Sequence, residues 1–413
     1  MTTTQGARSR TRVLLVGPSL AYLGGQAIQA QRLLRRLSED PELAPSFLPV
    51  NPQLSGVLGR LQRVKYLRTV VTSAAYVASL VKAVRKADVV HAFSASYWSF
   101  LLAPVPAMVT GRMARVGVLL NYRSGEADDH LSRWPGTTRL MRLADEVVAP
   151  SGYLVDVFAR HGVAASAIVN FVEVDSIRFR ARSVLTPRFL SNRNFESHYN
   201  VACVLRAFAA IQREVPEASL VVAGDGPLRA ELHALAASLG LRNVEFTGPV
   251  PPDRMPDLYD AADVYLNAPS IDNMPNSVIE SFAAGLPVVT TDAGGIPYVV
   301  RNGENGLMVS VNDHDALARE ALRLLREPGL AGRLSVDARA ECLARYTWSA
   351  VGQEWRHCYQ RLAGQSVAPA PGGPPLPRSS DPEPRSEGAV VPPDAGAPVV
   401  VEADRNAVLP PHA

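Results

Sequence analysis

The chain has 413 residues, which is more than one hydrophobic core usually holds, so its length predicts two domains. Apolar residues make up 47% and charged residues 20% of the sequence, which is typical of soluble globular proteins. The net charge of +3 gives no indication of a nucleic-acid partner, and none is predicted. Cys203, Cys342 and Cys358 show neither a disulfide framework nor zinc spacing, so we expect buried thiols in a reducing compartment and no metal site.

The start of the chain predicts a cytoplasmic protein, because MTTTQGARSRTR is polar and the apolar run Val13–Gly17 is too short for a secretory signal. Two apolar stretches are candidates for membrane spans. Ala92–Gly111 is uncharged and about 20 residues long, but its prolines and serines favour a packed strand-to-helix segment. Thr69–Val81 is too short to span a bilayer.

Short β-branched or leucine-rich runs alternate with amphipathic helical patterns, which is typical of parallel sheets covered by helices. The first series of predicted strands comprises Arg12–Gly17, Ala87–Phe93, Val116–Tyr122 and Glu146–Ser151. The second series comprises Pro187–Asn192, Ser219–Gly224, Val244–Gly248, Val264–Ser270 and Pro287–Asp292. We therefore predict two α/β domains joined near residue 175, with ligands bound in the cleft at the carboxyl ends of the strands.

The two ends of the chain depart from this pattern. Residues 1–11 are predicted to be a flexible N-terminus, and residues 365–413 a disordered tail. The last 48 residues hold 12 of the 33 prolines and no aromatic residue, so they cannot bury enough apolar surface to offset their ordering entropy. A docking segment for a partner is the alternative interpretation of the tail.

Three loops carry residues suited to binding an anionic ligand. Gly24 and Gly25 precede a predicted helix whose free amides would face an anion, although a glycine pair also marks ordinary turns. Arg193 follows a predicted strand, where its guanidinium suits a diphosphate, but a solvated loop arginine is the common alternative.

The most informative segment is NAPSIDNMPNSVIESFAAGLPVVTTDAGGIP. Asp272 lies in a polar loop, and a helix is predicted from about Ser277 to Ala284. Glu280 on that helix suits a pair of ribose hydroxyls, because one carboxylate accepts several hydrogen bonds. A first-turn glutamate favoured by the helix dipole is the alternative, but it leaves the polar DNMPNS run unexplained.

The segment from Asp272 to Gly285 resembles the acidic motif of the family-four retaining glycosyltransferases, in which two acidic residues are separated by seven others. GGQ, VNFVEVDSIRF, LVVAGDGPLRAEL and GGIPYVVRNGENGLMV match this family in the same order, over about residues 12–362. The resemblance implies the GT-B fold, two Rossmann-like domains facing a central cleft. It divides the chain into an acceptor domain (12–174), a nucleotide-sugar domain (175–345) and a C-terminal helix returning to the first domain (346–364).

The resemblance also implies a role for each matching residue. Glu280 would bind the donor ribose, Asp272 the donor-sugar hydroxyls, and Arg193 and the glycine pair the diphosphate. The loop between the acidic residues would contribute further donor contacts, from Asn273, Met274, Pro275, Asn276 and Ser277. No metal or other cofactor is required besides the nucleotide diphosphate sugar.

Three positions depart from the family pattern. The first acidic residue is Asp272, one methylene shorter than the usual glutamate. Tyr199 stands where the family has a phosphate-binding lysine, and Arg193 or His198 would have to compensate. Arg123 stands where many relatives have a histidine near the sugar, and it is a candidate for binding an acidic acceptor or a donor phosphate; His130 lies too far along to be taken as its substitute.

The predicted function is that of a retaining glycosyltransferase, with a UDP-sugar favoured as donor and a glycan, lipid-linked or small-molecule acceptor. A catalytically weakened binding or scaffolding subunit is the alternative, and a nucleotide-sugar epimerase is disfavoured by the acidic motif. The basic and apolar residues between Gly59 and Lys86 predict either contact with the inner face of an anionic membrane or an ordinary solvated helix face.

Overall fold

The computed structural model describes residues 10–19, 25–62, 64 and 67–366. The predicted flexible N-terminus up to residue 9, and the predicted tail apart from Gln365 and Ser366, lie outside these residues. Within them the chain forms two parallel six-stranded sheets covered by helices, so the predicted α/β class and GT-B architecture are confirmed.

The first sheet has the strand order β2-β1-β3-β4-β5-β6. Its strands are β1 (Thr11–Gly17), β2 (Leu43–Pro49), β3 (Val89–Ser94), β4 (Gly117–Tyr122), β5 (Glu146–Ala149) and β6 (Ser166–Ala167). The helices of this half are α1 (Gly25–Ser38), α2 (Gly56–Leu61), α3 (Leu67–Val84), α4 (Tyr97–Leu102), α5 (Pro104–Ala114), α6 (Ala127–Arg133), α7 (Thr137–Met141) and α8 (Gly152–Arg160).

The second sheet has the order β12-β11-β10-β7-β8-β9. Its strands are β7 (Arg188–Ser191), β8 (Ser219–Ala223), β9 (Val244–Gly248), β10 (Val264–Asn267), β11 (Val288–Thr291) and β12 (Leu307–Val309). The helices are α9 (Val201–Glu214), α10 (Arg229–Ser238), α11 (Met255–Ala261), α12 (Asn276–Ala284), α13 (His314–Arg326), α14 (Leu330–Arg345) and α15 (Trp348–Leu362).

All nine predicted strands are present. They are recognisable in the sequence as apolar runs because helices cover both faces of each sheet and bury the strands. Three short or edge strands were not predicted. β2 contains Pro45 and Pro49 and lies at the edge of its sheet, which is where proline is tolerated in a strand. β6 and β12 have only 2 and 3 residues, too few for a periodic pattern.

The helix α3 corrects one prediction. The apolar stretch Thr69–Val81 was predicted to be too short to span a bilayer, but α3 extends it at both ends to 18 residues. By length and composition, α3 is the one helix among the described residues that could cross a membrane. Tyr76, Leu80 and Val84 are nevertheless buried against the first sheet, and the Tyr76 hydroxyl donates to the carbonyl oxygen of Ala103 at 2.8 Å.

The predicted strand-to-helix interpretation of Ala92–Gly111 is confirmed by β3, α4 and α5. The three cysteines are free thiols and are buried, as predicted. The helix α15 packs on β1 and β4 of the first sheet, with Trp355 and Tyr359 in the same apolar cluster as residues of β1.

The helix α12 is buried along its length from Ser277 to Ala284. It ends at Gly285, whose φ of +66° is the left-handed conformation that glycine adopts readily. A Cβ at this position would lie 2.8 Å from the carbonyl oxygen of Arg180, so only glycine lets the helix end so close to the preceding chain.

Candidate active site

The carboxyl ends of β7 and β10 bring two of the predicted site residues together. These strands are neighbours in the second sheet. Arg193 follows β7 by two residues, and Asp272 lies in the loop between β10 and α12. Since parallel strands end at the same edge of a sheet, the two loops meet there.

The Arg193 guanidinium donates to Oδ2 of Asp272 at 2.6 Å and to the hydroxyl of Ser277 at 3.1 Å. It also lies 4.0 Å from the centroid of the Tyr199 ring, a cation–π contact. Burial lowers the pKa of Arg193, but the Asp272 carboxylate and the neighbouring tyrosines together outweigh burial, so the net shift is upward. A permanent positive charge is therefore fixed beside the N-terminus of α12.

A glycine pair supports the Asp272 loop from the neighbouring strand. The Gly295 amide donates to the carbonyl oxygen of Asp272 at 3.0 Å. A Cβ at Gly294 would lie 2.3 Å from that same oxygen, and a Cβ at Gly295 would lie 1.9 Å from the carbonyl oxygen of Asn273. The loop after β11 can therefore approach the site loop closely only because it has no side chains at these two positions.

Glu280 lies one turn into α12 and uses both carboxylate oxygens. Oε1 accepts from the Arg32 guanidinium of α1 at 2.6 Å, and Oε2 accepts from the Tyr259 hydroxyl at 2.8 Å. Asn192 donates to the Tyr259 hydroxyl at 2.7 Å. Burial and the nearby Glu280 charge raise the pKa of Tyr259 well above its usual range, so the phenol remains a donor.

The first half of the chain reaches the same site through α1. The side-chain amide of Asn276, at the start of α12, donates to the carbonyl oxygen of Gly25 at 3.4 Å and accepts from Gln29 at 3.0 Å. The N-terminal parts of α1 and α12 therefore lie opposite each other, an arrangement whose free amides favour an anion. Gly24, the other predicted glycine, lies outside the described residues.

Arg123 lies at the cleft, directly after β4, but its guanidinium is already bonded. It donates to the side-chain oxygen of Asn170, and burial lowers its pKa to about 10. Its carbonyl oxygen accepts from the side chain of Asn273 at 3.5 Å. His130 does not share this position: it is buried in the first domain, where it bonds to the Tyr122 hydroxyl at 2.9 Å.

The other predicted loop residues are close-packed against the first half of the chain. The Ser151 hydroxyl bonds to Asn273, and Asn170 donates to the carbonyl oxygen of Met274 at 3.1 Å. Pro275 directly precedes α12. The structure thus brings the predicted loop, Glu280, Arg193 and Gly25 into one site, and it adds Arg32, Gln29, Asn170 and Tyr259, which the sequence did not indicate. Asn170 lies in the VNFVEVDSIRF run, and Gln29 and Arg32 lie on the helix predicted after Gly25, but neither pattern indicated these side chains as site residues.

Two Rossmann-like sheets with their carboxyl edges turned to a shared cleft define the GT-B class of proteins. Residues 176–341 match the family described as Glycosyl transferases group 1. The match covers the second sheet, and it includes the segment that carries Arg193, Asp272 and Glu280.

Several of the similar proteins of known sequence are named as glycosyltransferases. One is the GDP-mannose-dependent alpha-(1-6)-phosphatidylinositol monomannoside mannosyltransferase of Mycolicibacterium smegmatis, 29% identical over 36% of this chain and 41% of that protein. Another is the sulfoquinovosyl transferase SQD2 of Arabidopsis thaliana, 24% identical over 85% of this chain and 73% of that protein. The chain spans less than half the length of several relatives it matches, such as LpsE of Rhizobium meliloti at 45%.

Solved structures support the fold. Anabaena HepE in complex with UDP-glucose superposes with a TM-score of 0.69, at 17% identity, over 85% of this chain and all (100%) of that one. Sucrose-phosphate synthase from Thermosynechococcus elongatus gives a TM-score of 0.69 at 19% identity, over 86% of this chain and 100% of that one.

Proposed function

We propose that the protein is a retaining glycosyltransferase that moves a sugar from a nucleotide diphosphate donor to a hydroxyl acceptor. The observation that carries the proposal is the convergence of Arg193, Asp272 and Glu280 at one sheet edge, opposite the N-terminal part of α1. This arrangement offers a carboxylate for a ribose, a guanidinium and helix amides for a diphosphate, and a second carboxylate for sugar hydroxyls.

In the proposed reaction, the acceptor oxygen bonds to the anomeric carbon on the face from which the nucleotide departs. The bond from that carbon to the diphosphate oxygen breaks, and the acceptor proton passes to a diphosphate oxygen. The protein needs no nucleophile for this step, because its contribution is to position the reactants and stabilise the charge on the leaving group. Arg193 and the amides of α12 would supply that stabilisation.

The donor base and sugar follow from the relatives only in part. Neighbouring structures contain UDP or UDP-glucose, whereas the mannosyltransferase relative is named as GDP-mannose-dependent. We favour a UDP-sugar and expect the base to be set by side chains near Glu280.

A calorimetric titration with UDP, GDP and ADP tests the donor site. Because Glu280 also pairs with Arg32, Glu280→Gln is measured in an Arg32→Met background, where the ion pair is absent from both proteins. There it is expected to weaken binding of the preferred nucleotide about tenfold, because the ribose hydroxyls lose a charged acceptor. Glu320→Gln is the matched control, since Glu320 lies on α13 and pairs with Arg323 instead. Unchanged affinity in Glu280→Gln, or no binding of any of the three nucleotides to either the native chain or Arg32→Met, would count against the proposal.

Transfer itself is tested by incubating the chain with a panel of nucleotide sugars and detecting products by mass spectrometry. We expect slow donor hydrolysis without acceptor and transfer with the correct acceptor, at unchanged anomeric configuration. Binding without hydrolysis or transfer across the panel would instead indicate a binding subunit.

We also propose that the first domain rests on an anionic membrane surface. Residues 43–125 contain ten Lys or Arg residues, among them all three lysines of the chain, and one acidic residue, Asp88, which pairs with Arg12. On the helices of this region, Val70 is 65%, Trp98 67% and Met113 80% exposed. Apolar side chains flanked by cations are typical of surfaces that lie in the lipid headgroup region.

The helix α3 would lie along the membrane rather than cross it, because its other face is part of the first domain's core. Sedimentation with phosphatidylcholine vesicles containing phosphatidylglycerol tests this contact. We expect binding that weakens with salt and is lost in Val70→Asp/Met113→Asp, but persists in Val336→Asp on α14, a residue 52% exposed in the other domain. Equal sedimentation of both variants, or none at low salt, would refute it.

A further inference from the structure

An arginine from the first domain occupies the carboxylate that we assign to the donor ribose. Arg32 lies on α1, two turns from Gly25, and its guanidinium donates to Oε1 of Glu280 at 2.6 Å. The side chains of Arg32 and Glu280 are 18% and 12% exposed, so the ion pair is largely shielded from water. Arg32 also approaches the carbonyl oxygen of Phe171, in the chain between the two domains, at 3.4 Å.

The other polar groups of the proposed donor site are satisfied by the protein in the same way. Arg193 bonds to Asp272, and the Asn276 side chain accepts from Gln29 and from Asn170 at 2.9 Å. These bonds would have to be exchanged, because a donor would approach the same atoms.

A small cavity lies beside two of these groups, Gln29 and Asn170. It is lined on its other sides by residues such as Arg123 and Trp355, and its volume is about 10 Å³, roughly that of one water molecule. At Glu280 itself, Arg32 already bonds to Oε1, so a ribose that binds this oxygen must displace the guanidinium.

We propose that the Arg32–Glu280 ion pair is a latch that competes with the donor ribose, so that Arg32 sets the donor affinity. The inference rests on the proposed function. In the exchange, the Arg32 guanidinium leaves Oε1 of Glu280, and a ribose hydroxyl donates to this one oxygen in its place. The Tyr259 hydroxyl remains on Oε2 and keeps the carboxylate oriented during the exchange.

Competition makes a quantitative prediction. When only a fraction of molecules has the latch open, the apparent dissociation constant is the intrinsic constant divided by that fraction. Removing the latch should therefore raise the association rate of the nucleotide and leave its dissociation rate unchanged. A purely structural role for Arg32 would not produce this separation of the two rates.

The test compares Arg32→Met with Arg35→Met in the full chain. Arg35 lies on the same helix, is 57% exposed and pairs with Glu173, so its removal changes the net charge equally without touching Glu280. Stopped-flow and calorimetric measurements with UDP, GDP and ADP give the rates and affinities, after circular dichroism has shown that both variants are folded. We expect about tenfold tighter binding for Arg32→Met, carried by the association rate, and native behaviour for Arg35→Met.

Each other outcome has a definite meaning. Weaker binding in Arg32→Met would overturn the latch and show instead that Arg32 orients Glu280 while the donor is bound. Equal binding would overturn any role at the ribose. Binding by Arg32→Met but not by the native chain would support the latch in its strongest form. If neither protein binds a nucleotide, the proposed function fails, and the latch fails with it.

Discussion

Acid is expected to destabilise the protein through a histidine buried between the first sheet and the C-terminal helix. His91 on β3 is fully buried, its Nδ1 lies 2.8 Å from the Tyr359 hydroxyl, and its ring stacks on Trp355 of α15. Nε2 lies 3.0 Å from the side-chain amide of Asn121. This environment suits the neutral imidazole, and burial, with a smaller effect of Arg123, lowers the pKa of His91 to about 3.

The sign and size of the effect follow from that shift. Between pH 3 and pH 6.5, the unfolded state binds a proton at this position and the folded state does not, so the free energy of unfolding falls as the pH falls. The fall approaches about 1.4 kcal/mol for each pH unit below 6.5, and so reaches about 2 kcal/mol at pH 5. His130, whose pKa burial lowers to about 4, adds a separate contribution in the same direction.

Urea unfolding at pH 7.5 and pH 5.0 measures how much His91 contributes to the pH dependence of the free energy of unfolding. The native chain should lose about 2 kcal/mol more than His91→Gln between the two conditions, because glutamine does not titrate. His314→Gln, a replacement of a partly exposed histidine on α13, should keep the native pH dependence. If His91→Gln loses as much stability as the native chain, His91 is charged in the fold or accessible to water, and the reasoning is wrong.

Three further perturbations test the buried packing around α11 and α12 and two positions of the site. Arg182 is fully buried and donates to carbonyls at the ends of α11 and α12, so Arg182→Met should reduce the free energy of unfolding by about 3 kcal/mol; a urea-derived loss below about 1 kcal/mol would contradict this. Gly295→Ala places a methyl group 1.9 Å from the Asn273 carbonyl oxygen, so calorimetry should show nucleotide affinity at least about tenfold lower in a folded chain, and native affinity would contradict it. Tyr199→Lys adds an ammonium beside Arg193 and should strengthen binding of a nucleoside diphosphate about tenfold while leaving the monophosphate unchanged; an equal effect on both would exclude a diphosphate contact.

The sequence predicted the fold well because the strands are buried on both sides. Runs such as VLLVG in β1 are buried at every position and are apolar throughout, and this pattern is visible without any knowledge of the contacts. The helix α3 was underestimated for the opposite reason. The uncharged run Thr69–Val81 lies between Arg68 and Lys82, but these two residues are helical as well. Their long side chains keep the charge in water while the backbone continues the helix.

The candidate site was predictable where its residues are close in sequence. Asp272, Asn276 and Glu280 occupy one loop and the helix that follows, so their spacing alone places them together. Arg32 and Glu280 are 248 residues apart, and no periodicity or spacing relates them. The partner of a charged group across a cleft depends on how two separately folded sheets are oriented, which a pattern read along one chain does not contain.

The surroundings of Arg193 show how this chain accommodates a tyrosine at the position of the expected lysine. A lysine at position 199 would place a second cation near Arg193, and Asp272 would have to balance both charges. Tyr199 instead covers one face of the guanidinium, and Asp272 and Ser277 bind its edge, so a single cation is fixed on three sides. A diphosphate would then meet one positive charge rather than two. The Arg193 guanidinium is already oriented, however, so less conformational entropy would be lost on binding. In the proposed donor site, Arg193 would therefore be the cation that contacts the diphosphate, and Tyr199 would contribute through its ring rather than through a charge.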